Sequence, residues 1–360
     1  MVQSFFLNNY MLTMRSFKII PCYIKLTHFE HWPSWIFYIP VWIQHIWLSL
    51  KTRSLFFFLS TNPAIDGFIL SDSKFKTLQL VPDAYKPKML YVNTKMSCKE
   101  VLASMKSGCI NFPIIFKPDI GFRGIKVLKI DNEKMLKHAL ENMRVDQIIQ
   151  EYVFDSLEVG IFYYRYPNES NGHIPSVTLK TFLEIKGDGK HTLAELVSQN
   201  YHAILHRAEL SERFSKTWNS IVPKDEHVML EEIGNHNKGT QFINGNYLVD
   251  DALLKVFDEL SHSMKDFYFG RFDIKVASME VLKRGENYKI LEVNGIGGEP
   301  THIYDSNTSI VHAWKDLCFT WRVAAKIAII NFEKGIEKPT YHLAKIKWRQ
   351  YASYKTKLYS

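Results

Sequence analysis

No two of the four cysteines, at positions 22, 98, 109 and 318, stand at a spacing that pairs metal ligands. A chain of 360 residues needs no disulfide staples, so a reducing cytoplasm is the simplest compartment. No basic segment leading into an apolar stretch and a small-residue cleavage site opens the chain, which argues against a secretory signal. No Ser-His-Asp or Cys-His set has convincing context. Charge is missing altogether from residues 31–50, which hold no Asp, Glu, Lys or Arg.

That uncharged stretch is aromatic, with Trp32, Trp35, Phe37, Tyr38, Trp42 and Trp47. Its 20 residues meet the length of a membrane span. Pro33, Pro40, Gln44 and His45 weaken that reading, and aromatics throughout suit an interface or a packed core. A buried or oligomer-forming helical element, peripheral membrane contact and a span all stay open, and with the first a homodimer. Elsewhere the composition is that of a folded protein, 46% hydrophobic and 23% charged. The net charge of +8 fits nucleic acid, an anionic membrane or an anionic ligand. Much of the excess lies in a basic C-terminal tail, 336–360, where lysines alternate with aromatics. That tail is either a solvated helix or a second surface for docking.

Three regions follow: an aromatic-rich N-terminal region (1–92), a central domain (93–335) and the tail. SLFFFL (54–59) reads as a buried strand, and Asn62-Pro63 opens a loop that includes Gly67. SDSKFKTLQLVP (71–82) looks like a capped short helix ending before Pro82. Residues 97–107, 131–144, 192–210, 250–268 and 308–331 show helical patterns. Strands are expected at 112–118, 125–130, 147–153, 158–166 and 176–186, and the mixture indicates an α+β or mixed α/β fold.

Two segments carry chemistry. In ILEVN (290–294) the strand period of two puts Glu292 and Asn294 on one face. GRFDIKV (270–276) precedes it across KRGEN (283–287), which reads as a turn; a hairpin would bring Asp273 to the same place. Three oxygen-bearing side chains without Cys or His suit a hard cation such as Mg²⁺. An exposed polar face on an ordinary hairpin is the alternative. The second segment is Lys117 followed by the Gly121/Gly124 loop, where glycine lets backbone N–H groups approach phosphate oxygens. It is neither a Gly-Lys-Ser/Thr loop nor a dinucleotide fingerprint, and a plain glycine hairpin turn is its alternative.

The order of the set is more specific than its parts. FPIIFKP with GFRG, IIQEYV, Glu158, Lys180, Arg271-Phe272-Asp273 and LEVN with GIGGEP resemble the ATP-grasp superfamily across about residues 71–335. The D-alanine–D-alanine ligase-like carboxylate–amine ligases are the nearest branch, and GDGKHTLAELV (187–197) resembles cyanophycin-synthetase-like members. The resemblance implies two α+β subdomains clamping ATP. It also implies ATP and two Mg²⁺, with Mn²⁺ as the alternative ion, as cofactors, and small-molecule carboxylate and amine partners rather than nucleic acid.

Residue by residue, Lys74, Lys117, Gly121 and Gly124 match the phosphate-binding positions. The backbone of Glu151, Tyr152 and Phe154 matches the adenine-reading hinge, and Glu158 the ribose carboxylate. Lys180 matches the lysine reaching the transferring phosphate, and Asp273, Glu292 and Asn294 the Mg²⁺ ligands. Arg271 and the Gly297-Gly298 backbone match the donors that hold the acyl phosphate or oxyanion.

Three departures stand out. Phe122 and Arg123 fill loop positions that are usually small, and the N-terminal region lacks a clear βαβ pattern. EEIGNHNKGTQF (231–242) has no counterpart; its His236, Lys238 and Gly239 line either an acceptor pocket or a plain loop. The implied function is an acyl-phosphate ligase forming an amide or peptide bond. The rival readings are a non-catalytic ATP-binding or membrane-peripheral scaffold and, among enzymes, a D-alanine–D-alanine ligase proper.

Overall fold

A computed structural model describes residues 21–359, except 67, 70, 122, 123 and 235. In chain order it begins with α1 (Pro21–Thr27), α2 (Ser34–Phe37), α3 (Ile39–Thr52) and α4 (Lys74–Gln79). β1 (Met89–Val92), α5 (Cys98–Ser107), β2 (Ile114–Pro118), β3 (Leu128–Ile130), α6 (Glu133–Glu141) and β4 (Gln147–Glu151) come next. Then follow β5 (Leu157–Tyr164), β6 (His173–Thr181), β7 (Glu184–Lys186), α7 (Leu193–Gln199), α8 (Arg207–Arg213), β8 (His227–Met229) and β9 (Gln241–Asn244). The last elements are α9 (Asp251–Ser263), β10 (Phe269–Val276), α10 (Met279–Lys283), β11 (Lys289–Asn294), α11 (Ile310–Glu333) and α12 (Tyr341–Tyr359).

Local chemistry sets the helix starts. Ser97 with Glu100 and Thr192 with Glu195 form reciprocal capping boxes, while Ser73, Asn132, Asp250 and Ser309 each cap with a side-chain oxygen. The chain divides into two compact units, residues 21–37 with Phe182–Gln241, and Tyr38–Thr181 with Phe242–Ser360. The smaller unit holds the two-stranded sheet β7-β8 and a core of Leu183, Ile185, Leu193, Val197, Leu210 and Val222.

The larger unit holds two sheets, β1-β4-β2-β3, antiparallel throughout, and β11-β10-β5-β6-β9, antiparallel from β11 to β6. Helices α5 and α6 bury Val101, Met105 and Leu136 with Ile114, Phe116 and Ile149 of the first sheet. In the second, β5 and β10 are two-sided. Val159, Ile161 and Tyr163 pack with Phe272, Ile274 and Val276 against Leu253, Phe257 and Leu260 of α9. The alternate positions carry Glu158, Arg271, Asp273 and Lys275 at one end of the strands. At the other end Phe162, Tyr164 and Phe269 lie under Val323, Ala324 and Ile327 of α11.

Four expectations are corrected. SLFFFL is no strand: Phe57–Ser60 form a single helical turn with Phe57 and Phe58 both buried. Consecutive strand side chains face opposite ways, so only a turn delivers both rings to Leu48 and α11. Residues 176–186 break into β6 and β7, because Leu183 and Ile185 belong to the smaller unit's core. The 192–210 helix breaks at Asn200, whose Oδ1 accepts from the N–H groups of His202 and Ala203 and starts a new turn. Between β10 and β11 the chain inserts α10, capped by Ser278, before it turns at Gly285.

Phe272 is fully buried among Phe257 and Phe267, with ring centroids 5.5 and 5.3 Å away. Phe272→Ala is expected to lower stability by about 3–5 kcal/mol in urea unfolding. A loss below about 1 kcal/mol would show that the sheet is not held by this cluster.

Candidate active site

The β10–β11 register places Asp273 opposite Glu292 and Arg271 opposite Asn294. Directly opposed residues share a face, so all four side chains converge. The ladder then slips by one residue after Asp273, leaving Leu291 as a bulge. Its carbonyl accepts from Lys117 Nζ (3.1 Å) and Gln150 Nε2 (3.2 Å), which ties the four-stranded sheet to the five-stranded one. Lys117 also donates to Gln150 Oε1 at 2.9 Å.

Around these residues charges alternate in sign. Lys180, opposite Glu158 on β6, lies 2.6 Å from Glu158 Oε1 and 2.9 Å from Asp273 Oδ1. Arg271 holds both oxygens of Asp273 (3.0–3.3 Å), and Asn294 Nδ2 donates to Asp273 Oδ2 at 3.0 Å. Lys74, brought in by α4, sits 3.2 Å from Glu292 Oε1 and donates to the Gly121 carbonyl. Asp119 locks that helix to the glycine loop by accepting from Ser73 Oγ and the Phe75 N–H, each at 2.9 Å. Gly124 takes a left-handed φ of 66° in that loop, and Phe122 and Arg123 lie outside the described residues.

Burial and pairing pull the titrations apart. Burial alone would raise Asp273, but Arg271 and Lys180 hold it well below the usual carboxylate range. Burial also opposes ionisation of Glu292, and Lys74 and Lys117 reverse it. Desolvation would lower Lys180 and Arg271, but Asp273 with Glu158 raises the first, and Asp273 with Glu292 and Glu299 raises the second. Lys117 is the exception. Desolvation depresses it to about 8 although Glu292, Asp273 and Glu158 favour its charge.

Glu151 ends β4 with its N–H donating to the Lys88 carbonyl at 2.9 Å. Tyr152 stacks edge-on against Phe154, 4.9 Å between centroids, and Phe154 is 76% exposed. Lys275 and Lys129 lie 5.3 and 5.0 Å from the Tyr152 ring, and Lys275 donates to the Val153 carbonyl at 3.1 Å. Gly298 is a position no other residue fits, since a Cβ would meet the Asn294 carbonyl at 2.8 Å. Its N–H donates to the Gly295 carbonyl (2.9 Å), so in this conformation it is engaged in a turn. In the smaller unit His236 pairs with Glu30 at 3.0 Å and Lys238 with Glu231 at 3.6 Å.

Gln150, Lys275 and Asp72 escaped the sequence reading. Gln150 and Lys275 carried a signal, since each alternates with an apolar neighbour on a strand that already held a candidate. Asp72 had none. Burial raises its carboxyl to about 7, against a hydrogen bond from the Gly295 backbone and the charge of Lys74.

Among the described residues no group of three or more His, Cys, Asp or Glu side chains is arranged to hold a metal ion. Asp273, Glu292 and Asn294 are two carboxylates and an amide, and both carboxylates are ion-paired.

No protein-family model matches the chain, and no curated protein does. Among solved structures it is similar to a bifunctional glutathione synthetase from Pasteurella multocida, with TM-score 0.37 and 19% identity. It is also similar to the VanG D-Ala:D-Ser ligase from Enterococcus faecalis (0.40, 13%) and a D-alanine–D-alanine ligase from Bacillus anthracis (0.39, 12%). These alignments cover 68%, 73% and 71% of this chain. The chain spans 35% of the first protein's length, 62% of the second's and 67% of the third's.

Asp72 gives a pH test. It stays protonated to about pH 7 when folded and ionises near 3.8 when unfolded, so the folded state holds the extra proton between those values. Its contribution to stability therefore falls as pH rises through that window, by up to about 1.4 kcal/mol per unit. Asp72→Asn should remove this slope, read as the difference in urea midpoints at pH 5 and pH 7.5. Identical slopes in both proteins would show that Asp72 ionises like a surface carboxylate.

Proposed function

We propose that the chain is an ATP- and Mg²⁺-dependent carboxylate–amine ligase of the ATP-grasp kind, acting through an acyl phosphate on unspecified small molecules. The observation that carries this reading is the largely buried cluster in which Lys74, Lys117, Lys180 and Arg271 interleave with Glu158, Asp273 and Glu292. The same groups fit a metal–triphosphate. Released from their lysines, the oxygens of Asp273, Glu292 and Asn294 form a hard donor set for one or two Mg²⁺ ions, or Mn²⁺. The freed ammonium groups would then turn to phosphate oxygens. Such re-pairing leaves the buried net charge nearly unchanged, because ATP brings about as much negative charge as two ions bring positive charge.

When bound, the metal supplies charge neutralisation at the phosphates. The chain's own residues do the remaining work. Lys74 and Lys117 with the Gly121–Gly124 loop would hold the phosphates, the backbone of Glu151, Tyr152 and Phe154 the adenine, and Glu158 the ribose. Lys180 would meet the transferring phosphoryl group while the substrate carboxylate oxygen attacks the γ-phosphorus and ADP leaves. The amine then attacks the acyl carbon, loses a proton and expels phosphate. Arg271, now clamped on Asp273, is placed to move to the oxyanion as charge develops. For Gly298 to help it, the turn at Gly295 must open. Cysteine usage supports a cytoplasmic location, and among the described residues no helix is long and apolar enough to cross a membrane.

A second reading has its own observation. Every carboxylate of the cluster is already neutralised, as in a nucleotide-binding scaffold without turnover. ADP release measured against panels of amino acids and amines separates the two. Asp273→Asn and Glu292→Gln are expected to abolish it, and Arg271→Met to lower kcat by about 10²-fold with ATP affinity nearly unchanged. Unchanged turnover in the two carboxylate variants would sink the ligase assignment.

Lys117 supplies a separate test. Lys117→Ala should weaken ATP binding by about 1.5–3 kcal/mol. Because Lys117 loses its proton near pH 8, affinity in the intact protein should fall as pH rises through 8, by up to tenfold per unit. Calorimetry showing a flat profile from pH 7 to 9 would place the phosphates elsewhere.

A further inference from the structure

Helix α3 has two apolar faces, and only one has a partner. Val41 and Leu48 are buried, with Leu48 in one cluster with Ala325 and Ala328 of α11. Ile39, Trp42, Ile43, Ile46, Trp47 and Leu50 recur at helical spacing along another face and are 46–75% exposed. Together they expose on the order of 700 Å² of apolar surface, beyond what a soluble monomer ordinarily leaves open. At 14 residues the helix is about 21 Å long, too short for a bilayer core of about 30 Å. It can lie in a membrane surface but not cross one.

Charge decides what covers the face. Residues 39–50 hold no Asp, Glu, Lys or Arg, and exposed Lys51 and Arg53 follow directly. Lys51 sits 5.2 Å from the Trp47 ring. From α11, exposed Arg322 donates to Gln44 Oε1 at 3.3 Å. Glu299, the carboxylate that reaches the start of this helix, is held by the Tyr38 and Tyr304 hydroxyls. A second copy docked along the stripe would offer these cations no carboxylate from α3 in either orientation. An anionic lipid surface would satisfy all three, and tryptophan beside isoleucine is suited to the headgroup–acyl boundary.

We propose that the outer face of α3 docks on anionic phospholipid membranes, with Trp42 and Trp47 at the boundary and Lys51, Arg53 and Arg322 on the headgroups. This rests on no feature of the candidate active site. The test is co-sedimentation of the full chain with phosphatidylcholine vesicles, with and without phosphatidylserine. Binding is expected to the phosphatidylserine vesicles and to weaken with added salt. Ile43→Glu/Ile46→Glu should lower it at least tenfold, with wild-type circular dichroism and wild-type ATP affinity. Lys51→Gln/Arg53→Gln/Arg322→Gln should remove the preference for phosphatidylserine. The proposal is overturned if the intact chain binds neither vesicle, or if the glutamate variant binds as well as wild type. It is equally overturned if sedimentation equilibrium shows a dimer that the glutamate variant dissociates while vesicles capture nothing.

Discussion

Two buried carboxylates, Glu158 and Asp273, share one sheet face with the half-buried Glu292, and their desolvation cost is offset by close cations. That constraint organises the larger unit. Asp273 is held by Arg271 and Lys180, Glu158 by Lys180, and Glu292 by Lys74, so each cation is fixed by the acid it neutralises. Removing Lys180 would strand the buried charges of Glu158 and Asp273. The cluster therefore acts as a unit, and its elements arrive from β5, β6, β10, β11 and α4.

The bulge at Leu291 is how the second sheet joins in. A regular ladder would occupy that carbonyl, whereas the slip after Asp273 leaves it for Lys117 and Gln150. Lys117 thereby enters the site from another sheet, held by neutral acceptors at hydrogen-bonding distance. Burial depresses its pKa for that reason, while Lys180 and Arg271 are raised by direct ion pairs. The cation with the weakest hold on its proton is the one an arriving phosphate would stabilise most. The outer face of α3 shows the reverse situation, with apolar surface left in water and cations at its edge.

Much of this was legible in the chain. A capped start was legible in SDSK before α4, where Ser73 is the cap, because capping is decided within four residues. Alternation placed Glu292 with Asn294 and Arg271 with Asp273 on common faces, because the strand period is a local property. Failures came where distant packing overrode local pattern. Phe57 and Phe58 read as strand but turn to meet α11, and the run 176–186 divides because Leu183 belongs to another core.

The sequence by itself determined which side chains could share a face and which carried the charge. Only the tertiary structure decided that Asp273 stands opposite Glu292, since register depends on the bulge and on the length of the α10 insertion. It alone brought Lys117 across from the other sheet and set Asp72 against Gly295, raising a carboxyl that the sequence left unremarkable. The physical reason is the same in each case. Periodicity and capping are read over a few residues, whereas desolvation and ion pairing depend on groups that folding alone brings together.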